Sequence, residues 1–301
     1  MKFQKFAFAL TLCLCLTACA PGGTAPSATP AANPVPPAPA DVPPSLAVDE
    51  EAAVTLFRVV DGAEEGNLLL AKLSRNMGAD VYRLPAGDIP VTLDGAASEP
   101  SALEDGMVVE VSHNGVTLES YPAQFGQVYQ IAGYSIGSEK DPAESWYDLC
   151  GLYLQVLDAL WEKDAGLNER ISQAAVDLSG APGGLTESEQ AALIWRFGET
   201  HGVEAFAATF EELEEGGYLS FEPLGEDAPE GAAFTHWKDG CFFAIEAGEA
   251  PVGEGDSPAA LAFGAKKWRS SLGAYFLHDC SAVWDASGRL EKYVIGAEMI
   301  S

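Results

Sequence analysis

The chain has 301 residues and a mass of 31.6 kDa, room for about two domains, because single cores rarely grow past ~250 residues. A hydrophobic fraction of 48% with 10% aromatics excludes a disordered chain. Acidic residues outnumber basic ones 45 to 16, net −29, which excludes sequence-independent attraction to nucleic acid or to anionic headgroups.

Lys2 and Lys5 precede an apolar run of eleven residues, Phe6 to Leu16, too short to span a bilayer, so residues 1–18 read as a signal peptide. Its exit, Leu16-Thr17-Ala18-Cys19, resembles the bacterial lipobox, in which a small residue precedes a cysteine that becomes diacylated. Cys13 and Cys15 fail that pattern because Leu12 and Leu14 precede them, which assigns lipidation to Cys19. Loss of Lys2 and Lys5 with the leader takes the net charge from −29 to −31, so anchoring falls to acyl chains and not to surface charge. Residues 19–50 follow as a stalk: nine prolines between 21 and 44, among Ala, Ser, Thr and Gly, favour an extended chain with a reach of ~75 Å.

Residues 51–137 have the period of a β domain. Leu56 to Val60 and Asn67 to Leu73 read as a strand pair around the loop 61–66. Met107, Val109 and Val111 alternate with Val108, Glu110 and Ser112, and Asn114-Gly115 then predicts a tight hairpin of Val108–His113 with Val116–Tyr121. Gln127 to Ile131 is the expected closing strand, and five or six short strands in this length suggest a barrel. The run Leu103 to Val111, the turn Asn114-Gly115 and Glu119-Ser120-Tyr121-Pro122-Ala123-Gln124 resemble the YobA-like family of secreted or lipid-anchored Gram-positive proteins. That resemblance implies a small OB-like antiparallel barrel of unknown function. An OB fold that binds nucleic acid needs a basic groove with aromatic platforms, and residues 54–136 offer Arg58, Lys72, Arg75 and Arg83 alone. Gly133-Tyr134-Ser135-Ile136-Gly137 matches a nucleophile elbow in letters, but no strand-helix alternation surrounds it.

Residues 143–301 change period. Ser145 is the expected cap of a helix whose stripe is Trp146, Leu149, Cys150, Tyr153, Val156, Leu157, Leu160 and Trp161. Leu167 to Leu178 reads as a second helix, and Thr186 with Glu189, then Thr209 with Glu212, are capping boxes opening two more. From Tyr218 the pattern is β: Phe234–Trp237 and Cys241–Glu246 around Asp239-Gly240 as a hairpin, then Leu261–Trp268, Gly273–Trp284 and Lys292–Met299. Trp237 and Trp284 are candidate core residues. The expectation is an α+β domain, helices first and antiparallel strands after. A winged helix that binds DNA is excluded by charge: between Arg196 and Lys238 there is no lysine or arginine, whereas Glu204, Glu211, Glu212, Glu214 and Glu215 fill the would-be recognition segment. Those glutamates have no calcium-loop pattern, and His113, His201, His236 and His278 lack metal-ligand spacing, so no metal or cofactor is expected.

The one basic cluster is Lys266-Lys267-Trp268-Arg269, which makes Lys266, Trp268 and Arg269 the candidate contacts for an anionic ligand or an acidic partner loop; alternation points Lys267 the other way. Pairing with nearby carboxylates is the alternative use of these cations. Cys241 and Cys280, both in the β part, are open to a disulfide, with free buried thiols as the alternative. Phe263 to Arg269 and Leu272 to Phe276 resemble uncharacterised lipoprotein domains of Gram-positive bacteria, which implies no activity. The expected protein is a cell-surface lipoprotein on the extracellular face of the cytoplasmic membrane, held through Cys19, with a non-catalytic binding or envelope-assembly role toward an envelope protein or a small anionic ligand. The alternatives are an envelope hydrolase whose site assembles only in three dimensions, and an extracellular sensor or inhibitor domain acting on a membrane partner.

Overall fold

The structure, a computed structural model, describes residues 52–62, 66–73, 80–225, 233–248, 261–285 and 287–301. The expected leader, Cys19 and the stalk lie outside the described residues. Among the described residues no helix is long and apolar enough to cross a membrane.

The first sheet is built from β1 (Ala53–Asp61), β2 (Asn67–Lys72), β3 (Val81–Pro85), β4 (Val91–Leu93), β5 (Ala96–Ser98), β6 (Val108–His113) and, later in the chain, β9 (Val128–Tyr134). Its order is β3-β2-β1-β6-β9-β4-β5, with β4 and β9 parallel and the other neighbours antiparallel. β3 and β5 are the two ends of this path and do not pair, so the expected barrel is an open sheet. The predicted β1–β2 pair forms, with Phe57 opposite Lys72 and Val59 opposite Leu70. Alternation then sends Phe57, Val59, Leu68 and Leu70 into a core on one face, and Val60, Leu69 and Ala71 to the other.

The hairpin expected at Asn114-Gly115 does not form as predicted. β6 pairs with β1 and β9, while β7 (Thr117–Leu118) pairs with β8 (Gln124–Phe125) in a separate two-stranded ribbon. The turn itself is present: Gly115 has φ 76°, and its N–H donates to His113 Nδ1 at 3.1 Å. Nδ1 therefore carries no proton, which leaves Nε2 to donate to Thr55 Oγ1 at 3.0 Å. Burial, helped by the charge of Lys72, holds the His113 pKa below its usual value of 6.5. In the window between the lowered folded value and 6.5 the unfolded chain binds more protons, so stability is complete above 6.5 and lost as pH falls through the folded value. Urea unfolding should show a midpoint that declines from pH 7 to the folded pKa of His113, a dependence absent in His113→Gln; an unchanged slope in the variant would assign it elsewhere.

The second part contains α1 (Leu149–Glu162), β10 (Gln173–Asp177), α2 (Glu187–His201), β11 (Glu204–Ala207) and α3 (Phe210–Glu215), then β12 (Ser220–Pro223), β13 (Ala233–His236), β14 (Gly240–Ala247), β15 (Ala262–Ser270), β16 (Gly273–Trp284), β17 (Leu290–Val294) and β18 (Ala297–Ile300). Both capping boxes are present, Thr186 with Glu189 and Thr209 with Glu212. Ser145 is not the cap of α1. Asp148 is, its Oδ1 accepting from Gly151 N at 2.8 Å, and Trp146 lies outside the helix and 70% exposed.

The helix expected over Leu167–Leu178 is instead a 3-10 turn followed by β10, which runs parallel to both β11 and β14. The alanine content of Gln173-Ala174-Ala175-Val176 favours a helix locally, but Ala174 and Val176 enter the core against α1 and α2, and Ala175 the core on the opposite face. A strand buried on both faces is a short continuous apolar run, and periodicity alone does not separate it from a helix. Placing β10 between α1 and α2 also breaks the helices-first order, although the α+β class stands. Asp239-Gly240 makes no hairpin either. β13 and β14 lie along the same edge of β15, with His236 opposite Ser270 and Phe242 opposite Trp268. The intervening Trp237 drops into the core, and a Cβ on Gly240 would meet its indole at 2.2 Å.

The predicted division at 137–143 separates two sheets that share a core. α1 and α2 lie between them: Val60, Leu69, Ala71 and Val81 of the first sheet belong to the same apolar cluster as Leu157, Phe197, Phe243 and Leu277. The described residues from 52 to 301 form one compact unit.

Candidate functional site

The structure uses the sequence-predicted site residues internally. On β15, Lys266 and Trp268 face one way, Lys267 and Arg269 the other, as alternation requires. Lys266 Nζ lies 3.5 Å from Glu246 Oε2, and Trp268 packs edge-on against Phe210 at 4.8 Å. Arg269 donates to the carbonyls of Leu167, Glu169 and Lys238 at 2.9–3.1 Å. Lys266, Trp268 and Arg269 therefore do not converge on one pocket. Lys267, set aside at the sequence level, is fully buried and donates to the carbonyls of Trp161, Lys163 and Asp164 at 3.0, 2.7 and 3.3 Å.

Cys150, Cys241 and Cys280 are all free and buried. The disulfide considered between Cys241 and Cys280 is not formed: β15 runs between their strands, with Cys280 opposite Phe263 near its start, whereas Cys241 neighbours Phe242, which faces Trp268 near its end. Burial pushes the Cys241 thiol up to about 12 and the Cys280 thiol up to about 11. Ser135 of the elbow-like run donates to Asp94 Oδ2 at 2.7 Å, and Ser138 to Asp94 Oδ1 at 2.8 Å. No histidine is in that arrangement: His201 pairs with Asp158 at 2.8 Å and stacks on Trp161. Among the described residues no group of three or more His, Cys, Asp or Glu is placed to hold a metal ion.

What the fold does bring together lies at the end of β1. Asp61 and Gly62 line two clefts at once. The larger, about 420 Å³, adds Glu104 and Asp105 from the segment before β6, Asp148 from the start of α1 and Arg289 from the approach to β17. Arg289 and Glu104 form an ion pair, and Asp105 Oδ1 accepts from Gly62 N at 2.5 Å. Burial raises the Asp148 carboxyl pKa, against the lowering effect of the Gly151 N–H and the Arg58 charge. Gly106 makes this packing possible. Its φ is 80°, and a Cβ there would strike the Asp148 side chain at 2.7 Å.

The smaller cleft, about 290 Å³, is walled by Arg83 of β3 and by Trp195 and Arg196 of α2. Arg196 Nε meets Asp61 Oδ2 at 2.7 Å, and the Arg83 guanidinium lies over the Trp195 ring, 5.7 Å from its centre. The larger cleft thus has four carboxylates against one guanidinium, while the smaller has two guanidiniums against the shared Asp61. None of these residues carried a motif, because β1, β3, the segment before β6, α1, α2 and the approach to β17 contribute separately and lie up to 228 positions apart, from Asp61 to Arg289. The available signal was Arg83 and Arg196 as scarce cations of an acidic chain. No family model, curated protein or solved structure matches the chain at a significant level.

Proposed function

We propose that the chain is a lipid-anchored envelope protein of the Gram-positive cell surface that binds a ligand or partner without chemically transforming it, and that the groove at Asp61-Gly62 is its binding site. The observation that carries this reading is the meeting of two clefts of unlike polarity at Asp61-Gly62. Each is about the size of a small-molecule site; the smaller is walled mainly by β2, β3 and α2, the larger mainly by loops between elements. The lipobox at Cys19 and the proline-rich stalk support the anchored setting, and the resemblance of the first part to YobA-like proteins agrees with it. The hydrolase alternative through Ser135 is less favoured, because its hydroxyl donates to an Asp94 carboxylate that also accepts from Ser138, with no histidine in the arrangement.

Two measurements test this together. Wild-type protein should incorporate radiolabelled palmitate and enter the detergent phase, and Cys19→Ala should do neither; equal labelling of both would overturn the anchor. Muramidase-solubilised wall fragments should raise the melting temperature of the full chain, and Ser101→Trp at the exposed rim of the larger cleft should abolish that rise while leaving the unliganded melting temperature unchanged. A wild type with no shift, or a variant with the same shift, would remove the groove as the binding site.

A further inference from the structure

We infer that the groove recognises a small zwitterion of amino-acid or dipeptide type, with its carboxylate on Arg83 and Arg196 and its ammonium toward Asp61 and the Glu104–Asp105 side. This rests on the groove being the binding site proposed above. Arg83 is the first reason. In a chain of 45 acidic and 16 basic residues, its guanidinium has no ion pair among the described residues and is held over an indole, oriented but not neutralised. Arg196 lines the same cleft, with its Nε on Asp61 and its Nη1 donating to Thr200 Oγ1 at 2.8 Å, so two guanidiniums border one cleft, and arginine favours a planar carboxylate.

The second reason is the exchange available at Asp61. Arg196 and Asp61 hold each other at 2.7 Å, with side chains 37% and 41% exposed. A pair that open to water contributes less than about fivefold to an equilibrium, so a ligand displaces it at small cost. A ligand carboxylate that takes Arg196 releases Asp61, and a ligand ammonium on the same molecule then takes Asp61. Every charge keeps a partner, which neither a simple anion nor a simple cation achieves. The clefts on either side of Asp61 set the polarity: the acidic one receives the amine, the arginine and indole one the carboxylate.

Radiolabelled alanylalanine is the probe, in equilibrium dialysis against the full lipidated chain in detergent. Binding should weaken with added salt. Arg83→Ala with Arg196→Ala should weaken it about tenfold or more, and Asp61→Asn several-fold, because the lost partner leaves a ligand charge unmatched. Acetylated alanylalanine and alanylalanine amide should each bind about tenfold more weakly than the zwitterion, and inorganic phosphate should compete poorly. Arg83→Gln, which keeps a polar side chain at this exposed position of β3, repeats the test should the double variant lose its fold. No binding of alanylalanine, or an amide or acetylated form that binds as well as the zwitterion, overturns the inference. Phosphate that competes fully would mark a plain anion site and overturn it too. If wall fragments still raise the melting temperature through the groove while alanylalanine does not bind, the zwitterion is wrong and the binding function stands; if neither acts, both fall.

Discussion

Substitution of Lys267 by methionine is expected to lower the unfolding free energy by about 2–3 kcal/mol, a large share of the ~5–15 kcal/mol that holds a typical domain. The ammonium of Lys267 lies at the carboxyl end of α1, where the last turn of a helix leaves carbonyls without partners and the helix dipole is negative. Lys267 donates to the carbonyls of Trp161 in the last turn, Lys163 at the C-cap and Asp164 just beyond it; Trp161 O also accepts from Asn168 Nδ2 and Asp164 O from Leu167 N. Each charge-assisted bond contributes ~1.5–3 kcal/mol before the cost of burying the ammonium, which returns several kcal/mol when the charge is removed. The loss of the bonds wins because the half-buried Lys163 carbonyl, which holds the shortest of the three, loses its ammonium. Methionine of similar length preserves packing against Phe243, so a cavity does not dominate the result. Urea denaturation checks the value. A variant as stable as wild type would mean that water replaces the ammonium at the helix end.

The same residue gives a pH signature. Burial lowers the Lys267 pKa from its usual 10.5, against the raising effect of the Cys241, Asp164 and Glu162 charges. In the window between the lowered value and 10.5 the unfolded chain binds more protons than the folded one, so stability contributed at this site rises with pH there. The slope should vanish in Lys267→Met.

Lys267 also shows where local pattern stops informing. Alternation along Lys266-Lys267-Trp268-Arg269 is legible, and the structure obeys it. That the inward lysine meets a helix end formed about one hundred residues earlier is a tertiary fact with no local trace. Capping boxes were legible because a Thr and a Glu three residues apart satisfy each other within one turn, independent of context. β10 was not, because Ala-Ala-Val fits a helix and a doubly buried strand alike, and burial between two layers decides. The turns at Asn114-Gly115 and Asp239-Gly240 were legible as bends, but their strands choose partners from elsewhere: β6 takes β1 and β9, and β14 takes β10 and β15. The groove was the least legible part, since each contributing side chain is an ordinary surface residue until the sheets and helices meet.

Arg58→Ala is expected to destabilise the whole unit by about 3–5 kcal/mol, in a single transition. Arg58 leaves the inner face of the first sheet and joins three separate parts of the chain. Its Nε pairs with Glu189 Oε1 at 3.0 Å, and its Nη1 donates to the Gly106 carbonyl at 2.9 Å and to Ser145 Oγ at 2.6 Å. The two side chains are 15% and 7% exposed, so the loss of one strands the other charge away from water. Glu189 has no slack to absorb this, because Oε2 already accepts from the Thr186 backbone and hydroxyl in the cap of α2. Glu189→Gln tests the division of labour. Glutamine can serve the capping box but presents no charge to Arg58, so it should cost less than Arg58→Ala. A double-mutant cycle between Arg58→Met and Glu189→Gln should give a coupling of more than about 1 kcal/mol. The number of transitions matters as much as their midpoint. If residues 51–137 and 143–301 were separate folding units, Arg58→Ala would lower one transition and leave the other unchanged. The cluster that joins Val60, Leu69 and Val81 to α1 and α2 requires both sheets to unfold together, and tryptophan fluorescence, from a signal confined to the second part, should report the loss of an arginine in the first.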